Sequence, residues 1–224
     1  SGDGYDTLQW TPSPSATGNY VQFGSGISYE SVILKGRGSP NPADGHYFEI
    51  SWGGDSQDVL DLGRIDVTQG HRPVDELRFQ DGRKIDWQQL LQRGVLARNE
   101  WGTALNDTFN WADLGTALGA TLTGHAGDDT YVFRYWTGAY RAEISDVGRL
   151  ASDREVVKFE DLTRANAIFA KEGNDLTIRK RTYSDPVQWG YYDQETVVVK
   201  NAFTTNPVNV KFQGEDRLFA ISEL

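Results

Sequence analysis

Between Gly102 and Phe133 the chain reads GTALNDTFNWADLGTALGATLTGHAGDDTYVF, and three nine-residue phrases lie inside it: GTALNDTFN (102–110), GTALGATLT (115–123) and GHAGDDTYV (124–132). Aligned, they share Gly at position 1, Ala at position 3 and a bulky apolar residue at position 8, namely Phe109, Leu122 and Tyr131. The first and third also carry Asp at position 6, as Asp107 and Asp129. A period this short admits few folds. Residues rich in Gly, Asn and Asp turn the chain, because these types tolerate positive φ and bond their own backbone. The three residues that follow form a short strand whose middle side chain points inward. Two such units complete one coil of a flat parallel roll. The first and third loops then share an edge, and the second lies on the opposite one.

Stacked strands are about 4.7–4.9 Å apart, so two position-6 carboxylates on one edge repel each other unless a cation lies between them. Calcium suits such a place, being a hard ion that accepts roughly 6–8 oxygens, backbone carbonyls included. The expected calcium site is therefore Asp107 with Asp129, supported by Gly124, Gly127 and the outward-pointing Asp128. The intervening phrase has Ala120 where the acid is needed, which limits the roll to one good site. The first nine residues, SGDGYDTLQ, fit the same frame. Asp3 and Asp6 there complete a second calcium site only if another repeat precedes them. A competing reading stays open: Gly-Asp-Asp also forms ordinary turns with no ion.

Composition narrows the function. The 224 residues are long enough for one large or two small domains with a real core, and the formal charge is −10. That charge argues against nucleic acid as a partner, since phosphate binding needs a basic face. Cysteine is absent, which excludes disulfides and zinc–thiolate sites. No apolar run approaches a membrane span, and no stretch of these residues reads as a signal peptide. The absence of Met points to a fragment of a longer polypeptide. His46, His71 and His125 have no ligand spacing and read as surface residues. No catalytic or phosphate-binding motif occurs, and no pair of carboxylates is singled out as acid and base, so no catalytic residue is assigned.

The remaining chain reads mostly as strands. HYFEISW (46–52) and VLDLGRIDV (59–67) alternate. ELRFQDGRKI (76–85) makes a hairpin at Asp81-Gly82. Asp86 caps a short helix over 87–93 that Gly94 stops. After residue 133 the same order recurs. VVKFEDLTRANAIFAKEG (156–173) answers 21–36, with Phe159 for Phe23 and Thr163 for Ser28 as a cap. NDLTIRK (174–180) answers HYFEISW, ETVVVKNAF (195–203) answers the next strand, and VKFQGEDRLFAI (210–221) answers LRFQDGRKI. WTGAYRAEISD (136–146) is a worn counterpart of SGDGYDTLQ.

Four phrases, GDDTYVF (127–133), GDGYDTL (2–8), GNDLTI (173–178) and FQDGRKIDW (79–87), together with the nonapeptides, resemble the haemolysin-type calcium-binding proteins. In that repeats-in-toxin (RTX) family, nonapeptides are followed by a haemolysin-type calcium-binding related module. The resemblance implies calcium as cofactor, export through a type I channel in an unfolded state, and folding outside the cell. The expected fold is all-β (mainly β), a short parallel β-roll (101–133) flanked by two related mainly-β modules (1–100 and 134–224) with one or two short helices, the whole forming either three parts or one continuous domain. The expected function is a non-catalytic, calcium-binding structural or adhesive segment of a secreted bacterial exoprotein, with a glycan or protein on a cell surface as partner. The alternative is a carbohydrate- or peptide-binding module that uses the aromatic loops 133–140 and 186–192, with Trp136, Tyr140, Trp189, Tyr191 and Tyr192 as the binding side chains. Against that alternative stands a plainer role for these rings, capping the ends of the roll.

Overall fold

The structure is a computed structural model that describes residues 5–9, 18–41, 44–53, 58–114, 119–134, 141–145, 151–180, 196–204 and 208–224. It is mainly β, as expected: the described residues form strands and 3-10 turns and a single six-residue α-helix. The chain divides into two units, Ser1–Asn106 and Asp107–Leu224.

The first unit contains β1 (Tyr5–Thr7), β2 (Tyr20–Gln22), β3 (Ile33–Arg37), β4 (His46–Trp52), β5 (Asp58–Ile65), β6 (Glu76–Arg78), β7 (Lys84–Asp86), α1 (Trp87–Gln92) and β8 (Val95–Ala97). β5, β4 and β3 form an antiparallel meander, with β1 added parallel to β5 and β8 parallel to β3. A second sheet pairs β2 parallel to β6, and β6 antiparallel to β7. The hairpin turn between β6 and β7 contains Gly82 at φ 86°, the positive φ that the Asp-Gly dipeptide supplies. α1 begins in a capping box: Asp86 accepts from the Gln89 N–H, and the Gln89 side chain accepts from the Asp86 N–H. Alternation explains the burial of Phe48 and Ile50 on β4. On β5 a bulge opposite Phe48 and Glu49 interrupts it, so Leu62 and Ile65, three positions apart, both join Leu34, Leu77, Ile85 and Leu90 in one core.

In the second unit lie β9 (Asp107–Asn110), β10 (Gly119–Leu122), β11 (Thr130–Phe133), β12 (Arg141–Ile144), β13 (Glu155–Phe159), β14 (Ala167–Glu172), β15 (Asp175–Lys180), β16 (Thr196–Val199), β17 (Val208–Lys211) and β18 (Phe219–Ala220). Successive strands alternate between two parallel ladders. β9, β11, β13 and β17 form one, closed by antiparallel β18. β10, β12 and β16 form the other, extended by the antiparallel pair β15 and β14. The polypeptide therefore coils. Thr108 lies beside Thr130, and Ala120 beside Ala142, a rise of 22 residues per rung. The next rung sets Thr130 beside Val156, and the β14–β15 hairpin separates Ala142 from its neighbour Val197. Parallel winding thus runs on past Phe133 to Lys211, because a hairpin inserted between rungs leaves their register intact.

Position 8 of each nonapeptide points inward as its apolar character requires: Phe109, Leu122 and Tyr131 are fully buried. Rings stack along the coil, with Phe109 on Tyr131 at 4.9 Å and Trp111, Phe133, Phe159 and Phe212 at successive separations of 5.7, 5.8 and 5.8 Å. In-register parallel strands place like residues over one another, so a repeated aromatic becomes a ladder.

The two units share a connectivity. In both, a strand precedes a 3-10 turn, an antiparallel three-strand meander follows, and the chain returns to pair parallel with the first strand before a hairpin partner: β2 to β7 in one unit, β13 to β18 in the other. Ser28 and Thr163 occupy the same cap position before those 3-10 turns. Phe23 stacks on Phe79 at 5.4 Å as Phe159 does on Phe212 at 5.8 Å.

Candidate functional site

The two acids singled out by the nonapeptides come together on one edge of the coil. Asp107 opens β9 and Asp129 immediately precedes β11; their successors Thr108 and Thr130 are ladder partners. Both acids are buried, at 1% and 0% exposure. The Asp107 N–H donates to Asp129 Oδ1 at 2.8 Å, a hydrogen bond strengthened by the carboxylate's charge. The 22-residue spacing read from the sequence is one full turn of the coil.

The turn over 124–129 explains how the carboxylate is aimed. A Cβ on Gly124 would lie 1.8 Å from Asp129 Oδ2 and 2.6 Å from both Asp129 Cγ and the Tyr131 hydroxyl. Glycine at position 1 thus makes room for the acid at position 6 of its own repeat. Its expected role was conformational, but the positive φ values in this turn fall at His125 (70°) and Gly127 (125°). His125, expected on the surface, is 6% exposed, and His46 on β4 is 3% exposed. Local packing decides their burial: His46 continues the inward alternation of β4 beside Phe48. His125 sits inside the turn itself.

The remaining site residues tie the turn to the following rung. Gly127 N–H donates to Asp153 Oδ2 at 3.2 Å, and Asp128 Oδ1 accepts from Arg154 N–H at 2.8 Å. Asp128 is exposed, as its position 5 predicts, and serves as a backbone cap. Val156 N–H donates to Asp129 O at 2.9 Å. That pairing sets Glu155 one rung beyond Asp129, and Glu155 is 1% exposed. Three buried acids, Asp107, Asp129 and Glu155, therefore follow one another along the edge. Glu155 escapes the nonapeptide frame because its spacing from Asp129 is 26 rather than 22. A Glu directly before the strand VVKF was the available signal.

The donor set suits a hard cation: carboxylate and carbonyl oxygens, with no thiolate available. Among the described residues no group of three or more His, Cys, Asp or Glu side chains converges as metal ligands. A calcium ion at Asp107 and Asp129 would therefore take the balance of its oxygens from the backbone.

Elsewhere the expectations meet less. Asp6 on β1 is exposed, unlike Asp107 and Asp129. Asp3, and the aromatic residues Trp136, Tyr140, Trp189, Tyr191 and Tyr192, lie outside the described residues. Among the described residues no helix is long and apolar enough to cross a membrane. No family model matches the chain, and neither a curated protein nor a solved structure matches it.

Proposed function

We propose that this chain is a non-catalytic calcium-binding segment, structural or adhesive, of a secreted bacterial exoprotein of the RTX kind. In this reading it completes its folding when it meets calcium outside the cell. The observation that carries the reading is the pair Asp107 and Asp129, buried on neighbouring rungs and joined by the 2.8 Å hydrogen bond from the Asp107 N–H. Two carboxylates on adjacent rungs of a buried edge repel each other, at a cost in free energy. A divalent cation removes that penalty and adds its binding free energy to folding. Asp107 and Asp129 would hold the ion, the turn of Gly124, Gly127 and Asp128 would support it, and the ion would supply charge neutralisation and a cross-link between rungs.

The test is thermal unfolding of the chain in calcium and in excess chelator. At a calcium concentration about a hundredfold above Kd, the stabilisation is roughly 2.7 kcal/mol, or roughly 5–11 °C in Tm for a chain of this length. Asp129→Ala is expected to abolish the difference between the two conditions. An unchanged Tm in chelator removes the calcium reading.

A further inference from the structure

A second feature of the Asp107–Leu224 unit concerns charge of the opposite sign. At the C-terminal ends of β11, β13 and β17 the surface holds a concavity of about 380 Å³, lined by Arg134, Lys158, Glu160, Lys211, Gln213 and Glu215 over the Phe159–Phe212 ring stack. This volume is in the range of small-ligand sites. Lys158 and Lys211 are direct ladder partners, two cations on neighbouring rungs. Glu160 bridges two of the three basic groups, pairing with Lys158 at 3.0 Å and Arg134 at 2.5 Å. Lys211 makes no ion pair and no side-chain hydrogen bond among the described residues.

The first unit supplies an internal control. There the strand pair β2–β6 takes the place of β13–β17, and LRFQ (77–80) corresponds to VKFQ (210–213). Arg78 stands where Lys211 does. Its charge is neutralised by an ion pair with Glu76, and its guanidinium lies 3.5 Å from the centre of the Tyr20 ring. In the second unit those two partners are replaced: Asn209 occupies the place of Glu76, and Val156 that of Tyr20. Gln22, across from Arg78, becomes Lys158, across from Lys211. The exchanges of Glu76, Tyr20 and Gln22 for Asn209, Val156 and Lys158 remove negative or π-electron density or add positive charge, while Glu160, in the place of Gly24, is taken up by Lys158 and Arg134.

We propose that this concavity is a binding site for an oxyanion, a carboxylate or a sulfate, held by Lys211 with Lys158 and Arg134 at its margin. The anion relieves the repulsion between the two lysines and meets the basic group of the concavity that makes no ion pair among the described residues. The chemistry is shared by free small anions and by the acidic groups of a polysaccharide, and length dependence separates these sources. The site is independent of calcium.

The experiment is a titration of backbone amide resonances in the intact chain with sodium sulfate, galacturonate and an oligogalacturonate, at constant ionic strength. Saturable shifts over Lys211–Glu215, with a Kd on the order of millimolar for the small anions, are expected. Lys211→Gln should weaken binding by about fivefold, the worth of one exposed charge pair, while Arg78→Gln leaves it unchanged. Asn209→Glu, which restores the neutralising partner found beside Arg78, should weaken it equally with the lysine still present. Shifts that never saturate, or that are unaltered in both Lys211→Gln and Asn209→Glu, overturn the proposal. An oligomer that binds at least about tenfold more tightly than the monomer identifies a polysaccharide as the source, and equal affinities identify a small free anion.

Discussion

Replacing Gly124 by alanine tests the geometry of the acidic edge without touching an acid. The added methyl would sit 1.8 Å from Asp129 Oδ2, against the 3.0 Å that real contacts of this kind respect. The carboxylate must therefore retreat by about 1.2 Å or rotate, which stretches the bond from the Asp107 N–H well beyond ordinary hydrogen-bond reach. Escape in the other direction is closed, because the Tyr131 hydroxyl lies 2.6 Å from the same methyl and its ring is fixed on Phe109. Hydrogen bonds to charged groups contribute about 1.5–3 kcal/mol, and overpacking a well-filled site costs about 1–3 kcal/mol more. A combined loss of about 3 kcal/mol lowers Tm by roughly 6–12 °C in a chain of this length.

Circular dichroism melts of Gly124→Ala, Asp129→Ala and the double variant form a cycle. If the methyl acts by displacing Asp129, the two substitutions share one interaction, and the double variant should be about 1 kcal/mol or more less destabilised than the singles summed. A Gly124→Ala protein that melts within about 2 °C of the parent, less than the shift from 1 kcal/mol, refutes the packing argument. So does strict additivity in the cycle.

Other consequences are checked more simply. Phe212 is 1% exposed and touches the rings of Phe159, Phe169 and Phe219, so Phe212→Ala should cost about 3–5 kcal/mol in denaturant unfolding. Asp86→Ala removes the hydrogen bond that the Asp86 carboxylate accepts from the Gln89 N–H at the start of α1 and should cost about 1 kcal/mol by the same measurement. The pH dependence follows from three carboxyls. A Lys158 hydrogen bond, followed by one from Arg134, holds Glu160 below its usual range; Lys200 and then the Asn201 N–H do so for Asp175, and the Thr68 hydroxyl for Asp66. Depressed folded-state values mean that this stability is fully present above the unfolded values, 4.5 for Glu and 3.8 for Asp, and is lost as pH falls through the lower folded ones. Melts in that acid window should therefore show a shallower loss for Glu160→Gln and Asp175→Asn, each by less than about 1 kcal/mol because the pairs are solvent-screened.

What the sequence discloses depends on whether a feature repeats in register. Phe109 and Tyr131 declare the inward column because an apolar side chain recurs after one turn of the coil, and Asp107 and Asp129 declare the acidic edge for the same reason. The β6–β7 turn and the α1 cap are legible one at a time, since Asp-Gly and Asp-x-x-Gln act locally. Glu155 is hidden by a rung four residues longer than its predecessor, and the continuation to Lys211 by the β14–β15 hairpin. Both insertions break the period in the sequence while leaving it whole in space. The purpose of Gly124 is hidden for a different reason. Glycine is usually read as a conformational residue, and its use as an empty volume depends on where the carboxylate five positions later is pointed.

The duplicated strand pair shows how one fold can shed a local neutralisation and keep its packing. Phe23 on Phe79 and Phe159 on Phe212 preserve the same ring contact, because buried aromatics set the spacing of both pairs. The adjoining strand face bears no such constraint. Exchanging Glu76 and Tyr20 for Asn209 and Val156 leaves the ladder hydrogen bonds in place, since those come from the backbone. Charge at Arg78 and Lys211 can then diverge at little cost to the fold. The consequence is that Lys211→Gln should change Tm by less than about 2 °C, as expected of a surface substitution worth under 0.5 kcal/mol. A larger loss would mean that the lysine holds the unit together, and that its isolation from Asn209 and Val156 is compensated by structure rather than left open to an anion.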